Sequence, residues 1–128
     1  MRRTLSTFNE VWQQQFRHRV LAQTQQFPEH AQFLIGCSGG MESMLLLYLM
    51  AEIFPTQIRA IYIDHQLQSV SAAWGVLVQE QCAALNIPCL VQNVSVETGN
   101  LEQQARNARY QAYQQHLQPN EILVLAHH

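Results

Sequence analysis

Apolar residues recur three or four apart at the start of the chain: Leu5, Phe8, Trp12, Phe16 and Val20. That spacing predicts an amphipathic helix from Leu5 to about Gln26, lying on a core, and Pro28 stops it. Gln32–Cys37 follows as a short, continuous apolar run, a candidate strand. Ser38-Gly39-Gly40 is a turn. From Ser43 to Phe54 nearly every position is apolar, so a helix here is buried on several sides. Pro55 ends it, and Ile58–Asp64 reads as a second strand. Ser71–Asn86 is a second core helix, with Trp74, Leu77, Val78 and Leu85 as its expected buried stripe. Cys89–Val96 is a third strand, Leu101–Leu117 a third core helix capped by Asn100, and Ile122–Ala126 a last strand.

Each of the four prolines stands just before a candidate strand, where a helix must already have ended. The order is a helix, three strand–helix pairs and a final strand. Alternation at these lengths predicts an α/β fold: a parallel sheet of about four strands between two helical layers, with right-handed crossovers and an extra N-terminal helix. Continuous apolar strands agree with a buried parallel sheet. The length of 128 residues and the 48% apolar content suit one domain with a real core. Residues 1–28 are read as the helix packed on it and residues 29–128 as the domain itself.

Composition then narrows the chemistry. No apolar run reaches transmembrane length, and no signal-peptide core follows Arg2 and Arg3. A cytoplasmic protein without membrane contact is the expectation. The formal charge of −2 argues against a dedicated nucleic-acid grip in this segment. All seven basic residues are Arg, which excludes a phosphate-binding lysine or a Schiff base. Asp64 is the only Asp. Cys37, Cys82 and Cys89 are odd in number, lack a C-x-x-C pair and sit among apolar residues, so they read as small core hydrophobes. His127 and His128 are adjacent and would point to opposite faces of a strand. They read as a cut chain end rather than a metal site.

Ligands of an open parallel sheet bind beyond the carboxyl ends of its strands. Of the loops there, Ile35-Gly36-Cys37-Ser38-Gly39-Gly40-Met41-Glu42-Ser43 is the most informative. Two glycines remove the side chains that would keep an anion off the backbone. The free N–H groups of a helix N-terminus face the same loop, and Ser38 and Ser43 add hydroxyl donors. This is a phosphate cradle built without lysine. The competing reading is a tight turn with a serine cap.

Ser38-Gly39-Gly40-Met41-Glu42-Ser43 resembles the S-G-G-x-D-S pyrophosphate loop (PP-loop) of the N-type ATP pyrophosphatases. Two more segments resemble the tRNA(Ile)-lysidine synthetase family within that group. Ile61-Tyr62-Ile63-Asp64-His65-Gln66-Leu67 is similar to its D/H-H-G-L segment. Gly99 to Tyr110 is similar to its N-x-E-x-x-A-R-x-x-R-Y stretch. The resemblance runs from about Phe33 to His128. It implies an adenine nucleotide alpha hydrolase-like, Rossmann-like fold, with residues 29–128 as a PP-loop ATP-binding domain shortened at its C-terminal end. It implies that ATP adenylates O2 of the wobble cytidine of tRNA(Ile), and that the amine of free lysine then displaces AMP at C2 to give lysidine. ATP and Mg²⁺ are the implied cofactors, and tRNA(Ile) and lysine the implied substrates.

The implied roles fall on named residues. Ser38, Gly39, Gly40, Met41 and Ser43 bind the departing pyrophosphate. Glu42 holds Mg²⁺, although the family carries Asp there and Glu is one methylene longer. Ile63, Asp64 and His65, with Ile61 and Tyr62, border the adenosine. On the third core helix, Leu101, Ala105, Ala108 and Ala112 form a close-packing face, and Glu102, Arg106, Arg109 and Tyr113 a second face. Without the resemblance, Glu102 and Arg106 read as a solvated pair, and Asp64 and His65 as a polar strand end. With it, Arg106 supports phosphate or the adenylated intermediate, and Glu102 is a candidate base for the lysine amine. Family chains continue with a D-D-Q-x-E-T segment and with tRNA-gripping domains, so this chain is expected to be an N-terminal part with little activity alone. A related thiolase or a non-catalytic adenine-nucleotide-binding module are the alternatives.

Overall fold

A computed structural model of the chain describes residues 11–37, 41–65, 71–95 and 101–126. Its elements are α1 (Val11–Thr24), β1 (Gln32–Cys37), α2 (Met41–Ile53), β2 (Ile58–Asp64), α3 (Ser71–Ala84), β3 (Cys89–Asn93), α4 (Leu101–His116) and β4 (Glu121–Leu125). The strands form one parallel sheet in the order β3-β2-β1-β4. β1 and β2 begin and end where the sequence predicts. β3 is shorter than expected and ends at Asn93, although the Val94 amide still donates to the Asp64 carbonyl of β2 at 2.9 Å. Leu5, Phe8 and the side chain of Trp12 lie outside the described residues.

Alternation along β1 sends its side chains to two separate cores. Phe33, Ile35 and Cys37 face one side, with Phe16 and Val20 of α1, Leu46 and Met50 of α2, and Val78 and Cys82 of α3. Leu34 faces the other, with Ile61, Ile63 and Ala112 and Tyr113 of α4. Three helices thus cover one face and α4 the other, giving the expected three layers. The chain steps from β1 to β2 to β3 in one direction and then returns past β1 to β4. With crossovers of one hand, that reversal carries α4 to the opposite face.

Two expectations about the helices fail. Trp74 and Leu77 are about half exposed, and α3 instead buries Gly75, Val78 and Cys82. Gly75 decides this: a Cβ there would stand 3.1 Å from the Tyr62 ring, and the Tyr62 hydroxyl is held by the Ser71 carbonyl at 2.8 Å. The helix therefore docks on its glycine edge and turns Trp74 outward. On α4, Tyr113 does not join an outer face with Glu102 and Arg106. It is buried against the sheet beside Ala112.

Gly36 marks a second close approach. A Cβ on it would meet the Tyr113 hydroxyl at 3.0 Å and the end of Leu125 at 2.5 Å. Both neighbours are side chains that can shift, so Gly36→Ala is expected to cost about 1–3 kcal/mol rather than prevent folding. Urea denaturation would show this as a lower midpoint with an unchanged slope.

The amino end of the sheet carries a buried ion pair. Arg59 on β2 reaches across β1 to Glu121 on β4, with Nε–Oε2 at 2.5 Å and Nη2–Oε1 at 2.7 Å. Arg59 also donates to the carbonyl of His116 at the end of α4. The Gln118 amide donates to Glu121 at 3.0 Å. By contrast, the Arg17–Glu52 pair between α1 and α2 is solvent-exposed and contributes little.

Candidate nucleotide-binding site

β1 is the strand at which the connection order reverses, so the crevice between the carboxyl ends of β1 and β4 is the switch point of this sheet. Between Cys37 and Met41 only three residues join β1 to α2. A junction that short sets the first turn of α2 directly over the end of a central strand. Ser38, Gly39 and Gly40 lie outside the described residues, as does the side chain of Met41. Their neighbours fix the surroundings. Ser43 is buried, and Glu42 is exposed in the first turn of α2. Burial pushes the Cys37 thiol up to about 12, so it is a neutral core group and no nucleophile.

A cavity of about 440 Å³ opens at this switch point, between α1, the start of α2 and the end of β4. Glu42, Leu46, Phe16, Arg19 and Val124–Ala126 are among its lining residues. Two further cavities, of about 420 Å³ and 350 Å³, lie at the other end of the sheet around Pro119–Glu121. Of these three, the first is lined by Glu42, in the first turn of α2.

At the end of β2 the predicted residues bind the protein itself. Asp64 is buried and accepts a 2.6 Å hydrogen bond from the Ser71 hydroxyl at the start of α3. Ile63 packs its side chain into the α4 core and pairs in the sheet with Gln92 of β3. His65 is half-buried, and its Nε2 lies 3.2 Å from the carbonyl of Ala105 in α4. A carbonyl can only accept, so Nε2 carries the proton and Nδ1 is left as an acceptor. Adjacent residues thus tie the end of β2 to α3 on one face and to α4 on the other. Sequence reading missed Ser71, although it stands only seven positions after Asp64.

Burial lowers the pKa of His65, and the charge of Arg109 lowers it further, against the Ala105 hydrogen bond and the charge of Asp64. The neutral form is therefore preferred in the fold. This group imposes no penalty above its unfolded pKa of about 6.5, and its destabilising effect grows as the pH falls through the lower folded value. His65→Gln, which can still donate to Ala105, is expected to remove that component of the acid sensitivity and keep most of the stability. His65→Ala should also remove it, but with a lower melting point throughout. Thermal melts from pH 5 to 8 read both effects.

On α4 the arginines separate. Arg106 is exposed, and its guanidinium stands 5.6 Å from the centroid of the Tyr110 ring. It forms no ion pair with Glu102, which is also exposed. Arg109 is half-buried and close enough to His65 and Tyr113 to influence both. Of the two, Arg109 is the one turned toward the end of β2. Among the described residues, no group of three or more His, Cys, Asp or Glu could hold a metal ion. Likewise, no described helix is long and apolar enough to cross a membrane.

A profile of PP-loop domains matches residues 11–128. The chain belongs to the PP-loop domain family. Among curated relatives, the tRNA(Ile)-lysidine synthase of Acinetobacter baylyi is 64% identical over 128 residues, covering 100% of this chain and 28% of the relative. That of Actinobacillus pleuropneumoniae serotype 3 is 41% identical over 120 residues, covering 93% and 27%. That of Histophilus somni is 42% identical over 111 residues, covering 83% and 26%. The chain thus spans about a quarter of the length of these relatives.

Proposed function

We propose that this chain is the ATP-binding part of a tRNA(Ile)-lysidine synthase, which activates a cytidine of its tRNA as the adenylate and joins lysine to it. The observation that carries the reading is the 64% identity over the whole chain to a protein of that name. The short β1–α2 junction at the switch point supports it, with a glycine pair opening the backbone there.

In this reading, Ser38, Gly39, Gly40, Met41 and Ser43 hold the β- and γ-phosphates through backbone N–H groups, two hydroxyls and the start of α2. Ile63, Asp64 and His65 border the adenosine at the carboxyl end of β2, where α3 and α4 hold their side chains in place. Arg106 supports phosphate or the adenylated intermediate, Arg109 approaches it from the half-buried side, and Glu102 is the candidate base for the lysine amine. Mg²⁺ takes one or two protein carboxylates and fills its other positions with phosphate and water oxygens. Glu42, an exposed carboxylate in the first turn of α2, fits that need. When bound, the ion would offset the negative charge of the departing pyrophosphate. Residues 29–128 act as the ATP-binding unit, with the helix of residues 1–28 packed against it. A tRNA-modifying ligase of this kind works in the cytoplasm.

Pyrophosphate release by the protein carrying this chain tests the reading. Release that requires both lysine and tRNA(Ile) supports the synthase. Sulfur incorporation into tRNA would point to a thiolase, and ATP binding with no turnover to a non-catalytic module. Failure to bind ATP at all would overturn all three.

A further inference from the structure

The outer face of α4 carries two groups that neither core uses. Arg17 and Arg59 are paired with carboxylates, whereas Arg106 has no carboxylate within reach among the described residues. Its guanidinium lies over the ring of Tyr110, which is 40% exposed. The ring of Tyr110 meets that of Tyr113 edge-on, with centroids 5.9 Å apart. Tyr113 is buried against the sheet, so it fixes the position of the ring outside it. Asn107, which accepts a 3.1 Å hydrogen bond from Gln103, stands beside this pair and is exposed.

We propose that the Arg106–Tyr110 face of α4 is a contact surface for the single-stranded loop of an RNA. This deepens the tRNA-modifying reading and rests on it. Single-stranded RNA is held by exposed aromatic rings that stack on bases and by guanidinium groups that meet phosphate. A cation free of carboxylates is the complement of a phosphate, and a ring held at an aromatic edge is a ready stacking platform. The placement agrees. α4 starts at the end of the sheet that carries the candidate nucleotide site, and Glu102, Arg106 and Tyr110 follow one another down the same side of the helix, one turn apart. Glu102, at the site end, repels phosphate, so the backbone of the strand is held at Arg106 and below. The chain as a whole is slightly acidic, so this contact is local and does not depend on a long-range basic field.

The test is fluorescence anisotropy of a labelled RNA stem-loop, titrated at low salt with the full chain and three variants. Circular dichroism confirms that each variant is folded. The wild type is expected to bind the stem-loop more tightly than a blunt duplex of the same stem. Tyr110→Ala should weaken binding by about fivefold or more, the usual loss for one stacked base, and Tyr110→Phe should stay within about twofold of wild type. Arg106→Gln should weaken binding and lower the salt slope by about 0.7, the loss of one phosphate contact on a single strand. A stem-loop with 5-iodouridine in the loop should photo-crosslink to Tyr110. Wild-type affinity in both Tyr110→Ala and Arg106→Gln would overturn the proposal. So would equal binding of loop and duplex, no binding of RNA by the wild type, or variants that change only self-association, which would make the face a protein contact. Titration of ATP into wild type and Tyr110→Ala separates the two readings: equal ATP binding with unaffected RNA binding removes the RNA face alone. Absent ATP binding removes the functional reading beneath it.

Discussion

Replacing Glu121 by Ala is expected to lower the stability of the fold by about 3 kcal/mol, the low end for breaking one side of a buried ion pair. The side chain of Glu121 is 2% exposed and that of Arg59 is 19% exposed. Removing the carboxylate leaves the guanidinium with the His116 carbonyl and a little solvent, and it deprives the Gln118 amide of its acceptor. Against a net stability of about 5–15 kcal/mol, the loss should appear as a melting point roughly 10 °C lower. Burial pushes the Glu121 carboxyl pKa up, but the Arg59 and Gln118 hydrogen bonds and the Arg59 charge outweigh it, and the net shift is downward. A group lowered in the fold contributes stability that is fully present above its unfolded pKa, about 4.3 for Glu. That contribution is lost as the pH falls through the folded value. Glu121→Gln should therefore flatten the acid limb of the stability curve. An acid limb identical to wild type would show that the pair carries no such linkage.

Gly39→Val is expected to weaken ATP binding by about a hundredfold or more while leaving the melting point within a few degrees of wild type. Hydrogen bonds from a backbone nest to a charged phosphate contribute about 1.5–3 kcal/mol each, and a branched side chain at the centre of a three-residue junction bars the anion from them. The effect on folding is expected to be small because the two core clusters are built on the strands and helices that flank the loop. Isothermal titration with ATP and Mg²⁺ reads the first effect, and calorimetry the second. Retained affinity would place the phosphates elsewhere.

What the sequence made legible follows from how local each feature is. β1 and β2 were readable to the residue because continuous apolar runs ended by polar or turn residues have few other readings. The helix α3 was readable but its inner edge was not. A helix with apolar residues on every side has no unique stripe, and Gly75, the residue that decides the docking, registers as no hydrophobe at all. The Arg59–Glu121 pair was invisible because its partners stand 62 positions apart, on strands that meet only through the sheet order. Arg106 was legible as a residue of interest, but its neighbour in the fold was not. At the same spacing of four it could reach Glu102 behind it or Tyr110 ahead of it, and it takes the ring. Asp64 and His65 were placed at the correct strand end. Their hydrogen bonds to Ser71 and Ala105 depend on which helices flank β2, and no local pattern encodes that.

The central claim is that the backbone between Cys37 and Met44 encloses the phosphates of ATP. The most direct measurement is a titration of the ¹⁵N-labelled chain with ATP and Mg²⁺, followed by amide chemical shifts. The account predicts the largest shifts at Ser38, Gly39, Gly40 and the first amides of α2, saturating together, with smaller ones at Ile63–His65. Saturable shifts confined to other parts of the chain, with the amides of residues 38–43 unmoved, would contradict it.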